Sequence, residues 1–472
     1  MASEGTSRVT SRGLWRGRGR LWRAGLVVVT VLVLLAAVLA AALATEVGEG
    51  HRGDAAPEPS VAAPRPGLLA ASPSAPRPEP AALARVLDPL AGVPELGDLS
   101  GRVVDDETGD VLWERSPDAP RVPASSAKLL TAVAALSSLP ADATQDTVLA
   151  TGAGAAADTL VVVPGGDVTM AAGDSSPLFP GTGTLARLAG IVRSAGLAPR
   201  AIVVDPGPYT GASMAPGWSK EDVAGGDIAP VEPWMLDAGR TDPADEYSPR
   251  VDEPMLTAAR ALGRELGVDP GAVSLSPSAV QTGRELGRVP SAPLTERVRS
   301  MLVHSDNVLA ESVCREVARS RTPDARVDFR AGTTAVLGVL GERGVDVSGV
   351  RLDDCSGMSG GDRVSASVLT AVLRLASAPG ATRELRDLLD ALPVGGASGT
   401  LAGRFTGPSA PGAGWVRAKT GTLTGTSALA GTVTSGEGRA MSFAFLSAGT
   451  SPADARPALD RLAAALRDCG CR

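Results

Sequence analysis

The sequence predicts a mixed α/β fold, and three stretches carry that prediction. "GRVVDD" and "DVLWER" alternate apolar and polar residues on either side of Glu107-Thr108-Gly109, as two strands around a turn do. Ser125-Ser126-Ala127-Lys128 follows Pro123 and opens an apolar helical run from Leu129, and "VLAESVCREVA" after Asn307 reads as an amphipathic helix. Around Lys419-Thr420-Gly421, β-branched residues and glycines suggest a further strand running into a turn.

The chain is long enough for more than one domain, at 472 residues, and its 44% hydrophobic content is that of a globular protein. A net charge of -7 and only 3% aromatic residues argue against nucleic-acid binding, which calls for a basic face and stacking rings. Two histidines, His51 and His304, are too few for most metal sites or for a readily built Ser-His-Asp triad. Lys128, Lys220 and Lys419 are the only lysines, with arginine at every other cationic position. Only lysine can lose its proton inside a protein, so those that remain draw attention to amine chemistry.

At the amino terminus, residues 1–23 carry Arg8, Arg12, Arg16, Arg18, Arg20 and Arg23, and an unbroken apolar run follows from Ala24 to Ala44. About 20 apolar residues match the thickness of a bilayer core. The basic flank stays cytoplasmic, which places everything after residue 44 outside the cytoplasm. The alternative is a signal peptide cleaved after Ala42-Leu43-Ala44, with a secreted product. Residues 45–85 are rich in Pro and Ala and read as an extended spacer. An even cysteine count in such a compartment suggests disulfides. Three connectivities are open, with Cys314–Cys355 and Cys469–Cys471 the expected pairs.

Three short motifs carry chemistry. On a helix, Ser125 and Lys128 at i and i+3 share a face, so the lysine amine can be the base that activates the hydroxyl. Ser305-Asp306-Asn307 offers a second hydroxyl for proton relay and, in Asn307, both a donor and an acceptor for a peptide. Lys419 presents a charge to a substrate carboxylate, Thr420 and Thr422 add hydroxyls, and Gly421 leaves room for a substrate backbone at a strand edge. Each motif alone reads equally well as a helix cap or an ordinary strand. Together, in this order, they form the set shared by penicillin-binding proteins and serine β-lactamases.

From about Leu87 to Leu466 the sequence resembles the class C low-molecular-mass penicillin-binding proteins, the D-Ala-D-Ala carboxypeptidase/endopeptidase family. The long interval between Lys128 and Ser305 resembles that family's inserted domains, as do "LVVVPGGDVTM", "GPYTGASMAPGW" and "APVEPWMLDAG". "DDCSGMSGGDRVSA" and "LPVGGASGTLAGRF" resemble two further family segments. In the first of them Cys355 stands for a glycine, Met358 for a leucine, Gly360 for an arginine and Asp362 for an asparagine.

The resemblance implies a discontinuous transpeptidase-like domain, with an antiparallel sheet flanked by helices, built from residues 86–145 and 290–472 around an insertion at 146–289. It implies peptidoglycan stem peptides as substrate, acylation of Ser125, penicillin as an acylating inhibitor, and no metal or cofactor. Asp167, in the insertion, would select an amine on the stem peptide's third residue; the plainer reading is a turn aspartate after two glycines. A serine β-lactamase, a catalytically inactive wall-binding relative and a tethered interaction protein remain as alternatives.

Overall fold

The computed structural model describes residue 72 and residues 74–469. The basic segment, the apolar run 24–44 and most of the spacer lie outside them, as does Cys471. Among the described residues no helix is long and apolar enough to cross a membrane.

Two five-stranded sheets organise the described residues. The first joins β1 (Asp98–Asp105), β2 (Val111–Arg115), β8 (Val416–Leu423), β9 (Thr426–Thr434) and β10 (Ala440–Ala448) in the antiparallel order β2-β1-β10-β9-β8. The Glu107-Thr108-Gly109 turn is where the sequence puts it, tied by Thr108 N–H donating to Asp105 Oδ1 at 2.9 Å. Side chains alternate across the pleat. On β10, Phe443 and Phe445 enter one apolar cluster with Leu83, Leu87, Leu459 and Leu462, while Ala444 and Leu446 enter the cluster on the other side. Helices Pro80–Ala91 and Pro452–Asp468 therefore cover one face, and helices Lys128–Ser138, Asn307–Arg321 and Ala366–Ser377 lie over the other. The small residues Ala428, Ala430 and Ala444 on that second face let those helices approach closely.

The helix from Pro80 begins inside the stretch 45–85 expected to be spacer. Glu79 caps it by accepting from Ala81 N–H, Pro80 starts it, and Leu83 and Leu87 are fully buried. Pro and Ala enrichment marked the segment as extended, yet proline suits a first helical turn and alanine any helix.

The second sheet takes all its strands from the interval 146–290: β3 (Asp146–Gly152), β4 (Thr159–Val163), β5 (Ala201–Val204), β6 (Val273–Leu275) and β7 (Thr282–Pro290). Its order is β6-β5-β4-β3-β7, with β4, β5 and β6 parallel and β3 antiparallel to its neighbours. Leu149, Leu160, Val162 and Ile202 pack against helices Leu185–Ser194 and Pro254–Leu266 in a separate core.

Candidate active site

Ser125 lies in a 3-10 turn, Ala124–Ala127, that runs directly into the Lys128–Ser138 helix. Three residues per turn stack i+3 over i, and Lys128 Nζ donates to Ser125 Oγ at 3.0 Å. The amine is wholly buried and has two further acceptors, Asn307 Oδ1 at 2.5 Å and the Ser356 carbonyl at 2.7 Å. Burial lowers its pKa to about 8, against the opposing pull of Asp354, Asp306, Glu311 and Asp362. A neutral amine at this position can take the Ser125 proton.

Two glycines hold the turn that carries Ser125. A Cβ at Gly357, where φ is +80°, would stand 1.9 Å from the Ala124 carbonyl oxygen; one at Gly421 would stand 2.6 Å from that of Pro123. Gly421 is therefore needed for contact with the nucleophile turn, and that contact explains it better than the space for substrate expected from the sequence. Beneath Gly357, Asp354 accepts from the N–H groups of Ser356, Gly357 and Ser359. Glu311 accepts from those of Cys355 and Ser356, and burial lifts its pKa to about 7. Asp362 is raised to about 9 by burial and by Asp354.

The second motif starts the Asn307–Arg321 helix. Asp306 is its N-cap, accepting from Leu309 N–H at 2.7 Å, so the capping role falls to the middle residue and leaves Ser305 and Asn307 to the site. Asp306 is buried against Arg240 at 2.7 Å and Arg250 at 3.9 Å, both from the 146–290 interval. Asn307 also donates to the Asp227 carbonyl at 2.8 Å. His304 is a flank of the site: its Nδ1 is 2.5 Å from Glu246 Oε1.

The third motif lies on β8, an edge strand. Lys419 is wholly buried and donates to Ser305 Oγ and to the Thr420 carbonyl, both at 2.9 Å. The amine that the sequence offers to a substrate carboxylate is thus buried and already hydrogen-bonded within the protein. Burial and the neighbouring Lys128 charge hold its pKa well below the ordinary lysine value. Ser305, the second hydroxyl that the sequence offered for proton relay, has Lys419 as its amine partner. Thr420 and Thr422 face an open cleft of about 1040 Å³ together with Ser125, Ser305 and Asn307.

Asp167 does not join them. It is fully buried and accepts from Thr169 N–H and Oγ1 at 2.8 and 2.7 Å, and burial raises its pKa to about 6. It is the turn aspartate of the plainer reading and cannot meet a peptide amine from there.

Sequence reasoning missed Glu311, Asp354 and the Ser356 carbonyl, which hold the Lys128 amine and the loop beside it. The "DDCSG" segment was the only signal for any of them. Cys314 and Cys355 form a disulfide next to this group. Cys469 is disulfide-bonded too, and the residue expected to pair with it lies outside the described residues. Glu311, Cys314 and Cys355 approach one another as metal ligands do, but both sulfurs are committed to the disulfide.

Residues 83–247 and 242–468 match the D-Ala-D-Ala carboxypeptidase 3 (S13) family. The chain belongs to this family. Among its relatives, carboxypeptidase DacB of Mycolicibacterium smegmatis is 42% identical over 460 residues, covering 95% of this chain and 98% of that one. A carboxypeptidase of Mycobacterium tuberculosis is 40% identical, covering 89% and 92%. The fold is similar to that of penicillin-binding protein 4 from Haemophilus influenzae, with a TM-score of 0.67 at 21% identity, covering 82% of this chain and 97% of that one. The class C resemblance read from the motifs is thus shown by whole-chain similarity, and the sheet flanked by helices is the family's fold.

Proposed function

We propose that this chain is a serine-type D-Ala-D-Ala carboxypeptidase, also able to act as a DD-endopeptidase, on peptidoglycan stem peptides. The observation that carries the reading is the 3.0 Å contact between Lys128 Nζ and Ser125 Oγ, beside a cleft walled by Ser305, Asn307 and β8. Neutral Lys128 takes the Ser125 proton, and Oγ attacks the carbonyl carbon of the penultimate D-Ala. The N–H groups of Ser125 and Thr422 receive the oxyanion; one such donor contributes about 100- to 1000-fold in rate. As the C–N bond breaks, Ser305 gives its proton to the departing amine and regains the one that Lys128 took from Ser125, with Lys419 holding the Ser305 hydroxyl in place. Water then cleaves the ester and restores Ser125. A β-lactam enters the same path but keeps its leaving group tethered, so it remains as an acyl-enzyme.

The name of the Mycolicibacterium relative and the undamaged motifs support catalysis over an inactive wall-binding role. The apolar run 24–44 behind a basic segment supports a membrane-anchored, extracytoplasmic enzyme.

Incubation with a penicillin followed by peptide mass spectrometry tests the reading. A stable adduct on Ser125, lost in Ser125→Ala and Lys128→Ala, is expected. A folded protein that forms no adduct would be an inactive relative, and fast penicillin turnover would make it a β-lactamase.

A further inference from the structure

The substrate of a carboxypeptidase ends in a carboxylate, and the cleft must supply a charge to meet it. Lys419 is fully buried beneath the cleft, with hydrogen bonds to Ser305 Oγ and the Thr420 carbonyl. Four arginines line the cleft; Arg240 and Arg250 are paired with Asp306, which leaves Arg404 and Arg456. Arg404 is neutralised: its Nε and Nη2 donate to Asp460 at 3.1 and 2.6 Å. Arg456 is exposed, and among the described residues no carboxylate pairs with it.

Arg456 comes from the first turns of the Pro452–Asp468 helix, where a cation sits against the positive end of the helix dipole. It is aimed into the site all the same. Its Nε and Nη2 donate to Thr422 Oγ1 at 3.3 and 3.0 Å. A hydroxyl that accepts from a guanidinium keeps its own proton free to donate elsewhere. The guanidinium retains its Nη1 hydrogens and its charge, the planar geometry that recognises carboxylates.

We propose that Arg456 binds the C-terminal carboxylate of the substrate, both through its own free N–H groups and by turning the Thr422 hydroxyl outward as a second donor. Thr422 also supplies an oxyanion N–H in the mechanism above, and the leaving residue's carboxylate sits one residue's length beyond that oxyanion. Arg456 is thus placed to read whether the residue leaving the site ends in a free acid. The assignment rests on the DD-peptidase reading.

The test compares a peptide ending in D-Ala-D-Ala with its C-terminal carboxamide, in the wild-type protein and in Arg456→Ala and Arg456→Lys. Losing a hydrogen-bonded charge contact corresponds to about 10- to 100-fold in affinity. In Arg456→Ala, kcat/KM for the acid should fall by that factor, mainly through KM, while that for the uncharged carboxamide falls much less. Arg456→Lys or added guanidinium ion should recover part of the loss. Acid and carboxamide falling together, or neither falling in a folded variant, overturns the assignment and leaves the peptidase reading standing. A wild-type protein that cleaves neither peptide and takes no penicillin on Ser125 overturns both.

Discussion

Lys419 Nζ donates to Ser305 Oγ at 2.9 Å, so the two later motifs meet in a hydrogen bond, just as Ser125 and Lys128 meet within the first. The cleft therefore has two serine–lysine pairs, Ser125 with Lys128 and Ser305 with Lys419. Charge on either lysine disfavours charge on the other, which is part of why Lys419 loses its proton more readily than an ordinary lysine.

Removing the second hydroxyl should stop proton delivery without touching the nucleophile. Ser305→Ala is expected to slow Ser125 acylation by about 100- to 10,000-fold, the range of a positioned acid–base group. Stopped-flow acylation by a fluorescent penicillin measures this, and a variant within tenfold of wild type would exclude Ser305 from proton transfer.

Lys128 must be neutral to act, and its pKa is about 8. Acylation should therefore rise about tenfold per pH unit below 8 and level off above it, following the neutral fraction of the amine. A second-order acylation rate measured from pH 6 to 10 gives the profile. A flat profile would mean that the proton goes elsewhere.

At Gly421, an added methyl meets a carbonyl oxygen of the nucleophile turn, and backbone cannot swing aside as a flexible side chain does. Gly421→Ala should displace Ser125 enough to cut acylation by about 100-fold, the penalty for a misplacement of about 1 Å. Far-UV circular dichroism should show the fold retained.

Asp306 joins the site to the 146–290 interval. Burial alone would raise its pKa, but Arg240, Arg250 and the Leu309 N–H outweigh burial and hold it below the ordinary aspartate value. Asp306→Ala leaves two buried guanidinium groups without their counter-charge and should cost about 3–5 kcal/mol by urea denaturation. A depressed carboxylate stabilises the fold above its unfolded pKa of about 3.9 and stops doing so as pH falls through its folded value. The gap between wild type and variant should thus close in acid.

Motif chemistry is local, which is why so much of the site was legible. Ser125 and Lys128 are one turn apart, Asp306 caps the helix that its residue type favours, and β1 and β2 flank the turn spelled by Glu107-Thr108-Gly109. Residue types and spacing by themselves singled out the hydroxyls and amines that the structure gathers at one cleft, and the short elements that carry them.

The tertiary structure alone decided what those groups touch. Lys128 takes acceptors 179 and 228 residues away, and Arg456 reaches Thr422 from the far side of a hairpin. Asp167 looked available beside two glycines, yet packing closed over it. Burial and the charges of distant neighbours set the amine pKa values, and both come from contacts between segments far apart in the chain, which no local pattern records.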